Sequence, residues 1–251
     1  MEERLNKILL VEDNPKYANS AKQYLASKNQ DVALAIDYSQ AMDKLKNPDF
    51  DGVISDVFFP EITGSGNISI GRELVGKMAK SDSNEREMVE GLEVLGQYVD
   101  LKDQDMRKYA RFLIGTLKEK DISQSPVVRA IKKVSMLGKE ATTKIAKNSL
   151  GAMYNENQAP KDYYDALMNA MEESESNQPL GLMVAQKTNE LGLPIILATS
   201  TYHHDILTQP VQDFSSTQGL TLVDCGPNSE DDKASPEFWK RTFSALEGKL
   251  Q

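Results

Sequence analysis

Polar side chains stand where predicted strands end, and their types suit divalent-cation chemistry. An aliphatic run leads directly into two adjacent carboxylates, Glu12 and Asp13. A second apolar run ends on Asp56, and a third ends in Thr199. Adjacent like charges repel, so a nearby cation is one explanation for their placement. Carboxylates combined with water and phosphate oxygens suit Mg²⁺ in particular.

The spacing of apolar residues predicts the elements that position these side chains. The first part of the chain alternates short apolar runs with amphipathic stretches, which is typical of βαβ units. After the third strand only helical spacing is found, until α/β alternation resumes near residue 180. The predicted strands are 7–11, 31–36, 52–57, 193–199 and 220–223, and helices start at Asn14-Pro15, Ser39, Leu180 and Pro236.

Three sequence motifs together point to a family. The segments ILLVEDNP, DGVISDVFFPEITG and LPIILATS resemble, in order and spacing, the receiver domains of two-component response regulators. The resemblance covers roughly residues 5–64 and 178–250. It implies an α/β fold with a doubly wound, five-stranded parallel sheet in the flavodoxin-like order 2-1-3-4-5. We therefore predict a receiver-like domain in two parts, 1–70 and 178–251, interrupted by an all-helical insertion at 71–177.

The resemblance also implies a role for each strand-end residue. Asp56 corresponds to the phosphoacceptor, and Glu12 and Asp13 hold Mg²⁺ together with Asp56. The main-chain carbonyl of Phe58 completes the metal shell, and Thr199 donates a hydroxyl to the phosphoryl group. A bound cation fits this chemistry, because charge that gathers on the transferring phosphoryl oxygens must be neutralised.

The end of the fifth strand departs from the family pattern. Receivers normally carry Lys followed by Pro there, whereas this chain continues LTLVDCGPNSEDDK from Leu220, with no Lys before Pro227. The positive clamp is missing from its usual place, and Lys233 in the following loop is a candidate replacement. The aromatic switch residue usual on this strand is also absent, since residues 220–223 are all non-aromatic.

Three function classes follow from these features. The first is an atypical stand-alone receiver, phosphorylated by a sensor histidine kinase or a phosphotransfer protein. The second is a degenerate receiver that acts as a non-phosphorylated protein-binding scaffold, as the missing lysine and aromatic residue suggest. The third, a Mg²⁺-dependent phosphohydrolase, lacks the second aspartate such enzymes use, because Phe58 stands two residues after Asp56. We expect the first class, a signalling protein rather than an enzyme.

The insertion differs in charge from its flanks, and it follows the third strand. Residues 71–177 hold 17 basic and 18 acidic side chains, whereas the flanks hold 12 basic and 20 acidic ones. Because the loop after the third strand leaves the edge that carries Asp56, we expect the insertion to act as a regulatory or output element for a downstream protein partner. We expect no DNA-binding region after the last helix.

Bulk composition limits the remaining options. The net charge of -9 argues against a general nucleic-acid surface. There is no apolar signal region and no membrane segment, so we expect a cytoplasmic protein. A single cysteine, Cys225, excludes an intrachain disulfide.

Two weaker features have ordinary structural explanations. His203 and His204 follow the fourth strand and Cys225 follows the fifth, so a metal or redox site can be imagined, but loop histidines and a buried thiol are more common. The stretch from Arg129 to Lys147 has six basic residues against one Glu. It could dock an acidic partner or RNA, although such runs are more often a solvated helix face.

Overall fold

A five-stranded parallel sheet forms the centre of the protein. The computed structural model describes residues 5–81, 83–117, 121–156, 163–174, 178–201, 208–225 and 232–250. The strands are β1 (Lys7–Val11), β2 (Asp31–Ala35), β3 (Gly52–Asp56), β4 (Ile195–Ala198) and β5 (Leu222–Val223). Their order is β2-β1-β3-β4-β5, and all neighbouring pairs are parallel. The predicted fold class and strand order are confirmed.

Eleven α-helices are found in the described residues. One of them contains Pro210, which lies in the first turn of the helix, where a missing N–H costs little. The helices are α1 (Pro15–Ser27), α2 (Tyr38–Leu45), α3 (Ser69–Ser81), α4 (Ser83–Gly96), α5 (Gln104–Leu117), α6 (Pro126–Val134), α7 (Lys139–Glu156), α8 (Tyr163–Glu173), α9 (Gly181–Glu190), α10 (Thr208–Thr217) and α11 (Pro236–Glu247).

Both faces of the sheet are covered, as the apolar character of its central strands requires. Strand β3 is buried along its whole length, which is typical of parallel sheets with helices on both sides. Alternate residues of each strand belong to two different hydrophobic cores, because successive side chains of a strand point to opposite faces of the sheet. Leu9 and Val53 belong to the core that includes residues of α2 and α9, whereas Leu10 and Ile54 belong to the core that includes residues of α1 and α11.

The chain divides into two compact units. The α/β unit comprises residues 1–78 and 163–251, and the helical unit comprises residues 79–162. Part of α3 and all of α8 fall in the α/β unit, where Leu74, Val75 and Met171 are buried in the sheet's core. The domain boundaries drawn from the sequence at 70/71 and 177/178 stay a prediction.

The segment that leads into α9 lies beside the loop that follows β3. Phe59 N–H donates to the carbonyl of Gln178 at 3.1 Å, and Gly181 N–H donates to the carbonyl of Val57 at 3.0 Å. Gly181 sits so close to β3 that a Cβ added there would lie 2.1 Å from the Asp56 carbonyl oxygen. Only glycine permits this approach. The segment that precedes α9 is therefore tied to the backbone next to Asp56.

The helical unit has a core of its own. The unit contains α4 to α7, and their inward side chains form a separate hydrophobic cluster, as helical spacing of three and four predicts. None of the described helices combines the length and the apolar character needed to cross a membrane. The buried residues of this cluster are Leu95, Val99, Met106, Ala110, Leu113, Ile114, Val128, Ile131, Ala146 and Leu150.

Candidate functional site

Three predicted acidic residues meet at one edge of the sheet. Strands β1 and β3 are adjacent and parallel, with Val11 paired to Ser55, so the residues that follow them share the carboxyl-end edge. A carboxylate oxygen from each of Glu12, Asp13 and Asp56 lies within 4.8 Å of the others. The structure thus brings together three side chains that come from the ends of two strands, β1 and β3.

The site is largely shielded from solvent, which changes the ionisation of its acids. Glu12 is only 1% exposed and Asp56 8% exposed. Burial raises the pKa of Glu12 to about 8. The charge of Lys233 opposes this rise, and the charge of Asp56 adds a smaller contribution to it. Burial and the Asp56 charge likewise raise the pKa of Asp13 to about 6. Both acids therefore bind protons more readily than free carboxylates do.

A lysine lies at the centre of this acidic cluster. The Lys233 Nζ atom is 2.7 Å from Glu12 Oε2 and 2.9 Å from Asp56 Oδ1, and its side chain is fully buried. Burial lowers the pKa of Lys233, but the Asp56 and Glu12 carboxylates outweigh this effect and raise it overall, so the ammonium stays charged. The nitrogen also lies 5.3 Å from the centre of the Tyr17 ring. Lys233, the candidate replacement for the missing strand-five lysine, therefore supplies the positive charge of this site.

The start of the last helix positions this lysine. Lys233 lies in a 3₁₀ turn, Asp232–Ala234, which leads directly into α11. The Ser20 hydroxyl on α1 donates to the Ala234 carbonyl at 2.7 Å, and Ser235 caps α11 by accepting the Phe238 N–H. The Ser-Pro helix start is a second sequence signal for this candidate, because Lys233 lies three residues before Pro236.

The Asp56 carboxylate is oriented by the backbone as well as by the lysine. Val57 N–H donates to Asp56 Oδ1 at 2.7 Å, and the Ser55 hydroxyl donates to the Asp56 carbonyl at 2.7 Å. Three carboxylates face one ammonium here, so the fully ionised cluster keeps two negative charges in excess. Such an excess attracts a divalent cation.

Thr199 lies on the same edge and belongs to a chain of hydroxyl groups. It follows β4, whose last residue, Ala198, pairs with Asp56, and it is almost completely buried. Its hydroxyl is 2.8 Å from the Thr201 hydroxyl, which in turn is hydrogen-bonded to Thr208 at the start of α10. The Thr201 N–H also donates to Thr199 Oγ1 at 3.2 Å.

The predicted roles of the other candidate residues are not tested by their positions. Phe58 lies half-buried in the loop after β3 and packs against the sheet's core, and the role of its carbonyl as a metal ligand stays a prediction. Cys225 is buried, and its thiol lies 3.6 Å from the Thr199 carbonyl oxygen. The imagined metal site also needed His203 and His204, which lie outside the described residues.

Comparison with known families agrees with this geometry. Residues 8–74, a little over a quarter of the chain, match the family model of the response regulator receiver domain. This segment is similar to a receiver domain. The matched segment spans β1 to β3 and contains all three clustered carboxylates. No curated protein and no solved structure shows a significant match to the chain.

A receiver domain sets the general class of function. Such domains are signalling modules that interact with kinases or phosphotransfer proteins and typically bind Mg²⁺ beside their acidic residues. The sheet order and the acidic cluster of this chain fit that class. The match supports a response-regulator-like signalling function.

Proposed function

We propose that this protein is a phosphorylatable receiver in which Asp56 accepts the phosphoryl group and Lys233 replaces the family's strand-five lysine. The observation that carries this proposal is the buried ion pair between Lys233 Nζ and Asp56 Oδ1 at 2.9 Å. A lysine buried beside the acceptor without a partner would be costly. Its placement between two carboxylates gives the site both charges that phosphoryl transfer requires.

The donor set fits Mg²⁺. Glu12, Asp13 and Asp56 offer three carboxylates, and the Phe58 carbonyl is proposed as a further oxygen ligand. All are hard oxygen donors, and Mg²⁺ is usually held by one or two carboxylates with waters and phosphate oxygens. When bound, the cation neutralises charge on the transferring phosphoryl group. The negative charge left after pairing with Lys233 supports this assignment.

The protein's own residues orient the reaction. Lys233 and Val57 N–H both bind Asp56 Oδ1, which leaves Oδ2 to attack phosphorus. The new O–P bond forms as the bond to the donor's leaving group breaks, and that group departs with the bonding electrons. Lys233 then pairs with a phosphoryl oxygen, and Thr199 donates its hydroxyl to another.

This last step suggests how the signal leaves the site. To reach the phosphoryl group, the Thr199 hydroxyl gives up its contact with Thr201, which is linked to Thr208 on α10. The segment around Gln178 and Gly181 is hydrogen-bonded to the loop after Asp56, so a movement of that loop also reaches the chain that returns from the helical unit. The second route runs to the segment that follows the predicted insertion, 71–177, and supports a regulatory or output role for it toward a protein partner.

One observation favours a second candidate, a non-phosphorylated scaffold. Strand β5 consists of Leu222 and Val223, and neither is the aromatic residue that receivers usually use as a switch. A receiver without this switch could bind its partner regardless of phosphorylation. The ion pair of Lys233 argues against complete loss of the chemistry.

Labelling with a small phosphodonor tests the proposal. The protein is incubated with acetyl phosphate and Mg²⁺, and its intact mass is measured. We expect a gain of one phosphoryl group in the wild type and none in Asp56→Asn. The exposed Asp43→Asn variant, altered outside the site, should label normally. An unlabelled wild type that still binds Mg²⁺ would favour the scaffold, and labelling of Asp56→Asn would refute the assigned acceptor.

A further inference from the structure

Exposed apolar side chains concentrate at one place in the helical unit. Among the described residues, five large hydrophobic side chains are exposed, and three of them, Met136, Leu137 and Ile145, lie within ten residues of each other. Met136 is 87% exposed and Leu137 60% exposed. Both lie in the 3₁₀ turn, Ser135–Leu137, that joins α6 to α7. Scattered exposed apolar residues are ordinary, but an adjacent pair this exposed needs an explanation.

Basic residues flank the same turn along the chain. Between residues 129 and 147 there are six basic residues and one acidic residue. Five of the basic side chains are exposed, and the sixth, Lys147, is paired with Asp103 and Asp105. The exposed ones are Arg129, Lys132, Lys133, Lys139 and Lys144. We call Met136 and Leu137, together with these five residues, the basic tip.

The rest of the chain has the opposite charge. The helical unit, residues 79–162, holds 15 basic and 13 acidic residues, a net charge of +2. The α/β unit holds the remaining 14 basic and 25 acidic residues, a net charge of -11. Positive charge is therefore concentrated at the basic tip although the protein as a whole is acidic.

The turn is held in place by the helices it joins. The Thr142 hydroxyl donates to the carbonyl of either Val134 at 3.1 Å or Gly138 at 2.8 Å, on both sides of the turn. Gly138 has φ of 90°, a conformation that favours glycine. Buried Ile131 and Ala146 anchor α6 and α7 in the unit's core. The apolar pair is thus displayed by a braced turn.

We propose that the basic tip binds an anionic lipid bilayer, with Met136 and Leu137 inserted among the acyl chains and the surrounding cations at the lipid phosphates. This pattern combines apolar insertion with attraction to anionic headgroups. The proposal does not depend on phosphorylation of Asp56.

Other occupants fit the surface less well. Two copies joined through the same face would bring like charges together. A stable protein interface buries about 800 Å² per partner, more than two or three side chains supply. Nucleic acid would use the cations but leaves the apolar pair unexplained. A bilayer uses both features.

Vesicle co-sedimentation tests the proposal with the full-length protein. We expect binding to vesicles of equal parts phosphatidylglycerol and phosphatidylcholine, weak binding to phosphatidylcholine alone, and weaker binding at higher salt. Replacing Lys132 and Lys133 by Gln should weaken binding about 30-fold. Replacing Met136 and Leu137 by Gln should weaken it at least about tenfold.

Matched controls separate the two contributions. Val89 is 47% exposed in the same unit and lies among glutamates, so Val89→Gln should not change binding. Exposed Lys102→Gln should have little effect. Binding that requires the lysines but is unchanged by loss of Met136 and Leu137 would indicate a general polyanion surface, such as one for nucleic acid, and would overturn the proposal. So would equal binding to both vesicle types or no binding at all.

Discussion

Replacement of Lys233 by methionine tests whether the buried ammonium balances the acidic cluster. Methionine keeps much of the aliphatic stem and removes the charge, so Glu12 and Asp56 lose their partner at 2.7 Å and 2.9 Å. Breaking a buried ion pair by removing one partner typically costs about 3–5 kcal/mol. We expect a loss of this size in unfolding free energy at pH 8.

The loss should depend on pH with a definite sign. Glu12 and Asp13 ionise in the folded protein at pKa values of about 8 and about 6, above those of an unfolded chain. Between the unfolded and folded pKa values the folded state holds more protons, so the free energy of unfolding falls as pH rises through this window. Without Lys233 the pKa values of Glu12 and Asp13 rise further, so the fall extends to higher pH and is larger in total. At pH 5, where protons neutralise Glu12 and Asp13, the variant should lose at most half of what it loses at pH 8.

The assay follows the protein's single tryptophan. Trp239 is buried on α11, near Lys233 in sequence, so its fluorescence in urea reports on the α/β unit. Lys240→Met, an exposed change on the same helix, is the matched control. In an Asp56→Asn background the Lys233 change should cost less, because one carboxylate is already neutral. Equal losses at pH 5 and pH 8, with no such coupling, would show that Lys233 acts by packing and would refute the electrostatic reasoning.

Three further predictions concern the same unit. Gly181→Ala should destabilise it by about 3 kcal/mol or more in urea denaturation, because the new methyl meets the backbone at the end of β3, whereas Gly76→Ala, in open helical space, should stabilise it by up to about 1 kcal/mol. Comparable effects of the two changes would contradict this account. Affinity for Mg²⁺, measured by calorimetry, should rise from pH 6 to pH 8, because protons compete for Glu12 and Asp13; a constant affinity would argue against these ligands. Ser235→Ala should cost about 1 kcal/mol through loss of the α11 cap, and no change in the urea midpoint would show that the cap contributes nothing.

Local patterns in the chain were sufficient for the sheet and for its acidic edge. Apolar runs with their bounding turns determine where β1, β3 and β4 lie, because each strand buries its own side chains. Once those strands are parallel, the residues after them must share one edge. The meeting of Asp13 with Asp56 was therefore predictable from the strand ends together with the strand order that the resemblance to receivers implies.

Only the tertiary structure decided what balances that edge. Lys233 comes from a turn whose place depends on contacts between α1 and α11, such as the Ser20 hydrogen bond to Ala234, and no periodicity of the chain encodes such a contact. The closeness of Gly181 to Asp56 is likewise a long-range packing effect. The residues at strand ends can be identified from the hydrophobic periodicity and the sheet topology. The partner of a buried charge is instead determined by packing between elements that are far apart in sequence.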